Sequence, residues 1–280
     1  MNVLVTGGAG YIGSHAALRL LEAGHEVTVV DDLSRGRRGA VEALAAAGEL
    51  CVVEADFGDR ARLEPVLRRR DIELVMHFAA LAYVGESVEQ PLRYYRNNLA
   101  NAVALLEAME ACGVERLVFS STCATYGEPG PEHIPITESC PQDPVTPYGR
   151  TKLAVEQLLF DHLRARGRSF AFASLRYFNV AGCEAAGRLG EDHDPETHLI
   201  PICLEAALGR RGGVTIFGTD YGTPDGTCIR DYVHVDDLVE AHLVAMTALQ
   251  PGEALAYNVG IGRGASVREV IEAARRVTGV

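Results

Sequence analysis

The sequence lacks the features that mark several classes of protein. Its 280 residues contain no run of 18 apolar residues, so no membrane-spanning segment is predicted. No basic stripe accompanies the net charge of -12, so we expect no nucleic-acid partner. The chain does not open on a basic segment followed by a plain apolar one, so no signal peptide is predicted.

The cysteines do not follow the spacing of a metal site or a redox motif. Seven cysteines are scattered along the chain, with no C-x-x-C pair and no Cys/His spacing typical of zinc. We therefore expect reduced thiols, no bound metal and a cytoplasmic location. One row of potential ligands lacks regular spacing, and we interpret it as a polar loop over the substrate: Asp192, His193, Asp194, Glu196 and His198.

Short apolar runs alternate with amphipathic stretches over the first two thirds of the chain, a pattern typical of βαβ units. Runs such as 74–80 suit strands that are covered on both faces. We predict the α/β class, with a doubly wound parallel sheet of the Rossmann type. The predicted strands are 2–6, 26–31, 50–54, 72–78, 115–121 and 170–176. The predicted helices are 16–22, 39–47, 61–69, 92–111, 148–166, 199–207, 235–248 and 267–277.

The first strand runs directly into a glycine-rich turn. Gly7, Gly10 and Gly13 follow this strand and precede a helical pattern, which is the context that a dinucleotide-binding turn requires. Glycines let the backbone approach a pyrophosphate, and the N–H groups at the start of the helix stabilise its charge.

The end of the second strand indicates which dinucleotide binds. Asp31 stands where a carboxylate can accept hydrogen bonds from the adenosine ribose, which predicts NAD. Three nearby arginines, Arg35, Arg37 and Arg38, keep NADP open as the alternative. Asp56 and Phe57 follow the third strand at the expected position of an adenine ring.

Two chemically active side chains share one helical turn. Tyr148 and Lys152 stand four residues apart, directly after Thr146 and Pro147, so a phenol and an ammonium project from the same face. A phenol titrates near pH ~10 in water, and a nearby cation favours the phenolate. We expect Lys152 to lower the pKa of Tyr148 toward neutrality, which suits nicotinamide redox chemistry.

Together these motifs resemble the extended short-chain dehydrogenase/reductase superfamily. The resemblance rests on the turn T-G-G-x-G-Y-I-G at 6–13, on Thr122 with Tyr148 and Lys152, and on 175–179. Within that superfamily the UDP-glucose 4-epimerases have similar segments at 77–80, 84–87, 94–98 and 226–235. The stretch 120–129 is similar to that of UDP-arabinose 4-epimerases.

The resemblance implies an isomerase of galactose metabolism that inverts C4 of UDP-glucose or UDP-galactose through a transient 4-keto sugar. Tyr148 would take the 4-hydroxyl proton, Lys152 would polarise Tyr148, and Thr122 would bind the sugar oxygen. The implied NAD contacts are Gly7, Gly10, Tyr11, Ile12, Gly13, Asp31, Asp32, Asp56, Phe57, Phe78, Ala79, Ala80, Asn97, Thr122, Tyr148, Lys152 and Tyr177. The implied UDP-sugar contacts are Thr122, Tyr148, Phe178, Asn179, His198, Leu199, Phe217 and Arg230.

The same resemblance implies a domain division and an oligomeric state. Residues 1–178 would bind NAD, and residues 179–280 would form a smaller α/β domain for the UDP-sugar, with parts of 231–260 crossing back. Helices 92–111 and 148–166 resemble those through which relatives form homodimers. Relatives continue beyond residue 277, so we expect a truncated C-terminus.

Two alternatives stay open, and two neighbouring chemistries are disfavoured. Sugar-nucleotide 4,6-dehydratases carry an Asp-Glu pair after the threonine, and decarboxylases carry a glutamate nearby. The stretch 122–127 contains no acid, which favours epimerisation. The alternatives are a UDP-xylose/UDP-arabinose 4-epimerase and a catalytically silent NAD-binding sensor.

Overall fold

The computed structural model describes all 280 residues. Ten strands and ten α-helices build two sheets with covering helices. The strands are β1 (Asn2–Thr6), β2 (Glu26–Asp31), β3 (Leu50–Glu54), β4 (Leu74–His77), β5 (Arg116–Thr122), β6 (Ala171–Tyr177), β7 (Asn179–Ala181), β8 (Ile229–His234), β9 (Ala254–Val259) and β10 (Gly264–Ser266). The helices are α1 (Tyr11–Glu22), α2 (Arg38–Ala47), α3 (Arg60–Arg69), α4 (Val84–Glu89), α5 (Pro91–Tyr94), α6 (Asn101–Cys112), α7 (Pro147–Arg166), α8 (Leu199–Ala207), α9 (Val235–Ala248) and α10 (Val267–Thr278).

The main sheet has seven strands in the order β3-β2-β1-β4-β5-β6-β9, and all of its pairs are parallel. The strand order reverses between β1 and β4, so the loops after these two strands diverge and leave a crevice at their carboxyl ends. The predicted doubly wound sheet is confirmed.

Side chains alternate between the two faces of this sheet, and each face has its own core. Val3 and Val5 of β1 point to one face, which α1, α2 and α9 cover. Leu4 points to the other face, which α3, α6 and α7 cover. Because both faces are buried, the strands read as continuous apolar runs.

One predicted helix is divided. The stretch 92–111 was expected to be a single helix, but α5 and α6 are separated by a π-helical segment, Tyr95–Ala100. The segment adds an extra residue to the helical turn beside the cofactor crevice. It also brings Asn98 under Leu81, where the Asn98 side chain bonds both the N–H and the C=O of Leu81 at 2.9 Å.

A smaller sheet, β10-β8-β7, follows the main one. Ser266 and Glu269 form a capping box that starts α10, and α10 packs on α8. Strand β9 returns to the edge of the main sheet beside β6, and this strand was not among those predicted. The domain boundary at residue 178, between β6 and β7, stays a prediction. None of the helices combines the length and apolarity needed to cross a bilayer.

Candidate active site

In the turn after β1, two positions leave no room for a side chain and therefore require glycine. Gly7 has a φ of +73°, and a Cβ there would lie 2.6 Å from the backbone nitrogen of Ala79. A Cβ on Gly13 would lie 2.1 Å from the carbonyl oxygen of Gly7. Helix α1 begins at Tyr11 with no side chain capping it, so its first N–H groups suit an anionic ligand.

The crevice beside this turn holds most of the predicted cofactor residues. One cavity of about 100 Å³ lies at the carboxyl ends of β1, β2 and β4. It is lined by Gly7, Gly10, Asp31, Asp32, Phe57, Phe78, Ala79, Ala80 and Asn97. Asp56 lies outside the lining, and its carboxylate accepts hydrogen bonds from Gly58 N and Asn101 Nδ2, both at 2.8 Å.

Asp31 is fixed at the end of β2. Its two carboxylate oxygens accept hydrogen bonds from Ala9 N and Leu33 N, both at 2.9 Å. Burial raises the pKa of the Asp31 carboxyl, and the two backbone bonds oppose that rise. The position suits ribose hydroxyls, so the residues present fit NAD.

The three arginines that kept NADP open are each paired with a carboxylate. Arg35 bonds both oxygens of Glu86 at 2.7 and 2.9 Å. Arg37 lies 3.1 Å from Asp192, and Arg38 lies 3.0 Å from Glu54. Since each guanidinium already has an anionic partner, none is left as a dedicated partner for a 2'-phosphate.

A second cavity of about 530 Å³ continues from the first and contains the predicted catalytic residues. The two cavities share Gly10, Arg35, Phe78 and Ala80 in their linings. The predicted residues that line the larger one are Gly10, Tyr11, Ile12, Phe78, Ala80, Thr122, Tyr148, Lys152, Tyr177, Phe178, Asn179 and His198. A volume of this size can accommodate a ligand larger than a single sugar.

Local sequence places the catalytic side chains. Thr146 caps α7, because its hydroxyl accepts a hydrogen bond from Gly149 N at 3.2 Å, and Pro147 fills the first helical position. Tyr148 and Lys152 therefore occupy the first two turns. Thr122 ends β5, and its hydroxyl accepts a hydrogen bond from Ala124 N at 3.1 Å. Thr122 and Tyr148 line the same cavity.

Lys152 is the only lysine of the chain and is 3% exposed. Its ammonium donates a hydrogen bond to the Ser120 carbonyl at 2.7 Å and lies 4.8 Å from the centre of the Phe119 ring. Burial lowers the pKa of Lys152 to about 7, although the negative charge of Glu156 opposes that fall.

The expected fall in the pKa of Tyr148 is wrong for this structure. Burial raises the pKa of Tyr148 to about 12, and the neighbouring Thr122 hydroxyl offsets only part of the rise. The physical reason is that burial disfavours both the phenolate and the ammonium, while the Lys152 ammonium donates its hydrogen bond to the Ser120 carbonyl.

Three of the predicted substrate residues lie away from the cavity lining. Leu199 begins α8, Phe217 is 86% exposed, and Arg230 is exposed with its guanidinium donating to the Ile229 carbonyl at 3.0 Å. In contrast, His198 lines the cavity, and hydrogen bonding to Glu191 raises its pKa. The roles of these residues stay predictions.

The polar row at 192–198 folds into a compact cluster with a different membership. Asp192 pairs with Arg37 instead, and Glu191 takes its place. His193 Nδ1 and His198 Nδ1 lie 3.0 and 2.7 Å from Glu191 Oε1. The cluster, whose candidate ligand atoms lie within 4.8 Å of one another, consists of Glu191, His193, Glu196 and His198.

The sequence did not indicate the residues that hold Lys152 and Tyr177 in position. The Ser120 carbonyl holds Lys152, and the Ser120 hydroxyl is hydrogen-bonded to the Tyr177 hydroxyl. Glu156 and Arg176 form a buried ion pair at 2.6 Å. The available signal was adjacency, because Glu156 follows Lys152 by one helical turn and Arg176 precedes Tyr177.

Comparisons with known proteins agree with this geometry. The chain is 50% identical to probable UDP-arabinose 4-epimerase 1 of Oryza sativa subsp. japonica, over 100% of this chain and 68% of that protein. It is 49% identical to UDP-glucose 4-epimerase of Halalkalibacterium halodurans, over 100% of this chain and 81% of that protein.

A solved structure has the same fold. UDP-glucose-4-epimerase from Stenotrophomonas maltophila, with bound NAD and formylated UDP-arabinopyranose, superposes with a TM-score of 0.94 at 42% identity. The match covers 100% of this chain and 84% of that one. These findings confirm the resemblance to UDP-glucose 4-epimerases and the NAD cofactor that the motifs predicted. Since the model of the NAD dependent epimerase/dehydratase family matches residues 3–260, the chain belongs to that family.

Proposed function

We propose that this chain is an NAD-dependent UDP-sugar 4-epimerase that interconverts UDP-glucose and UDP-galactose. The observation that carries the proposal is one continuous crevice. It joins a dinucleotide turn at Gly7 and Gly10 to a cavity holding Thr122, Tyr148 and Lys152. The names and the identity of the relatives support the 4-epimerase assignment.

In the proposed reaction Tyr148 removes the proton from the sugar 4-hydroxyl and later returns it. When bound in the crevice, NAD supplies reversible hydride acceptance from sugar C4, so the sugar passes through a 4-keto form without net oxidation. Thr122 donates a hydrogen bond to the sugar O4 as charge develops. The charged form of Lys152 favours the phenolate of Tyr148, which burial alone disfavours.

The lining beyond Thr122 supports epimerisation over elimination. The segment Cys123–Tyr126 follows Thr122, and it places no carboxylate at the sugar site. Elimination or decarboxylation would need a second acid there to protonate a leaving group or to assist loss of a carboxylate. The carboxylates that do line the cavity, Glu191 and Asp192, are paired with His198 and Arg37. The proton exchange that this lining supports is therefore the one at the Tyr148 phenol.

UDP-arabinose and UDP-xylose form the second candidate substrate pair. Relatives of about the same identity carry both kinds of name, at 50% for the arabinose enzyme and 49% for the glucose enzyme. A pentose lacks C6, so the same cavity would accept it with fewer contacts. The preference is decided by assaying both pairs with one preparation.

We further propose that the enzyme acts as a homodimer in the cytoplasm. Exposed apolar side chains follow one another along α4 and α5, with Val88 62% and Leu92 83% exposed. Such a row suits a helical interface between two copies of the chain. All seven cysteines are unpaired, which suits a reducing compartment.

Purified protein incubated with UDP-galactose and, separately, with UDP-arabinose tests the proposal. The expected products are UDP-glucose and UDP-xylose, and Tyr148→Phe should lower kcat by about 10²–10⁴ while NAD stays bound. Tyr221→Phe, an exposed tyrosine outside the cavity, is the matched control and should keep full activity.

Two outcomes would contradict the assignment. If the NAD-containing wild type forms neither product, the sensor alternative replaces the enzyme. If Tyr148→Phe turns over as fast as Tyr221→Phe, the phenol is not the acid/base group.

A further inference from the structure

A buried carboxylate lies beneath the catalytic helix. Glu156 is 1% exposed and stands on α7 one turn after Lys152. Its oxygens accept hydrogen bonds from the Ser121 hydroxyl, from Arg176 Nε at 3.0 Å and Nη2 at 2.6 Å, and from Gln142 Nε2 at 3.3 Å. A carboxylate this deeply buried is retained only when several donors satisfy it.

Each main partner of Glu156 stands beside a residue of the site. Ser121 precedes Thr122 at the end of β5, and Arg176 precedes Tyr177 at the end of β6. The carboxylate therefore links α7, which carries Tyr148, to the strands β5 and β6, which carry Thr122 and Tyr177. A shift of any one element would have to break a charge-assisted hydrogen bond, which makes the arrangement rigid.

The charge of Glu156 also acts on the site. It is the one group that opposes the effect of burial on Lys152. His77 of β4 faces the same ammonium but is neutral, because burial lowers its pKa to about 3. Among the groups around the ammonium, Tyr148 is a protonated phenol and Arg176 is paired with Glu156 itself.

We propose that Glu156 is a positioning residue, whose buried carboxylate stands one helical turn from Lys152 as the negative neighbour of its ammonium and holds β5 and β6 against α7. The proposal rests on the proposed function, because it concerns the same acid/base group. A purely structural ion pair would stabilise the fold without affecting the titration of Lys152. The two roles are therefore separable by measurement.

Because Lys152 is the only lysine, it can be observed alone. Protein labelled with ¹³C-lysine and carrying its NAD gives one Cε signal, whose shift follows the protonation of this ammonium. Glu156→Gln should move the titration midpoint down by about one pH unit or more, since the ammonium loses its negative neighbour. The alkaline limb of the kcat profile should move to lower pH by the same amount.

Tyr126→Phe is the matched control. It removes the hydrogen bonds of the Tyr126 hydroxyl with Arg176 at 2.9 Å and Asn258 at 2.7 Å, and it leaves Glu156 in place. This variant should lose stability without a change in the Lys152 midpoint. An unchanged midpoint in Glu156→Gln, or the same shift in Tyr126→Phe, would overturn the proposal.

Glu156→Gln leaves Arg176 without its anionic partner, so a second variant covers the case in which it does not fold. Ser121→Ala removes one bond to the carboxylate and keeps its charge. It should lower kcat about tenfold, at unchanged KM and unchanged NAD content, because β5 is less firmly held. Wild-type kcat in Ser121→Ala would overturn the positioning role. If the unmodified protein itself were inactive, the proposed function would be rejected. The titration of Lys152 would still test the role of Glu156, because it needs no turnover.

Discussion

Replacing Lys152 by methionine should abolish activity. It should also remove the pH dependence that the buried amine gives to the free energy of unfolding. The amine is 3% exposed, and burial lowers its pKa from 10.5 to about 7. Such a shift corresponds to about 5 kcal/mol, at 1.36 kcal/mol per unit. Methionine has a similar length and carries no charge, so it can occupy the same position beside the Phe119 ring.

The direction of the change in stability with pH follows from the number of protons that the folded and unfolded states bind. Below pH 7 the folded and unfolded chains both carry the charged amine, and the folded state bears the whole cost of burial. Between about pH 7 and 10.5 the unfolded chain binds a proton that the folded chain has released. The free energy of unfolding therefore rises with pH across this window.

Urea unfolding of wild type and Lys152→Met at pH 6.5 and 9.5, with matched NAD content, measures the effect. The difference between the two proteins should change by about 3 kcal/mol between these pH values, to the relative benefit of the wild type at high pH. The part of the loss that does not depend on the charge of the amine, such as side-chain packing against Phe119, is the same at both pH values and cancels. Parallel stabilities across this range would refute a buried, titrating lysine.

Two further predictions concern the cofactor crevice. Gly13→Ala should lose bound NAD and about 1–3 kcal/mol of stability, because its Cβ would overlap the Gly7 carbonyl. The ratio of nucleotide to protein absorbance measures the bound NAD, and thermal melts measure the stability. Gly85→Ala, with nothing within 4 Å of the added Cβ, should behave as wild type, and equal losses in the two variants would contradict the clash. Asp31→Asn should lower the preference for NAD over NADP about tenfold, as the neutral amide no longer repels a 2'-phosphate. Chromatography of nucleotide bound from an equimolar mixture checks it, and unchanged selectivity would assign the preference to other groups.

The sequence by itself determined the architecture and the reacting group. Continuous apolar runs such as 74–76 are typical of strands that are buried between two helical layers, and together with the alternating helical patterns they predict a parallel, doubly wound sheet. Gly7 is dictated by its positive φ and Gly13 by its local contact with the Gly7 carbonyl, and Thr146 with Pro147 fixes where α7 begins. Helical spacing then puts Tyr148 and Lys152 on one face.

The electrostatics of the site were decided only by the tertiary structure. The spacing of Tyr148 and Lys152 suggested that the cation would make the phenol acidic, yet burial raises the pKa of Tyr148 and lowers that of Lys152. Desolvation depends on every element that closes over a group, and such elements are distant in sequence. For the same reason the link from Glu156 on α7 to Arg176 on β6 became visible only once the chain was folded.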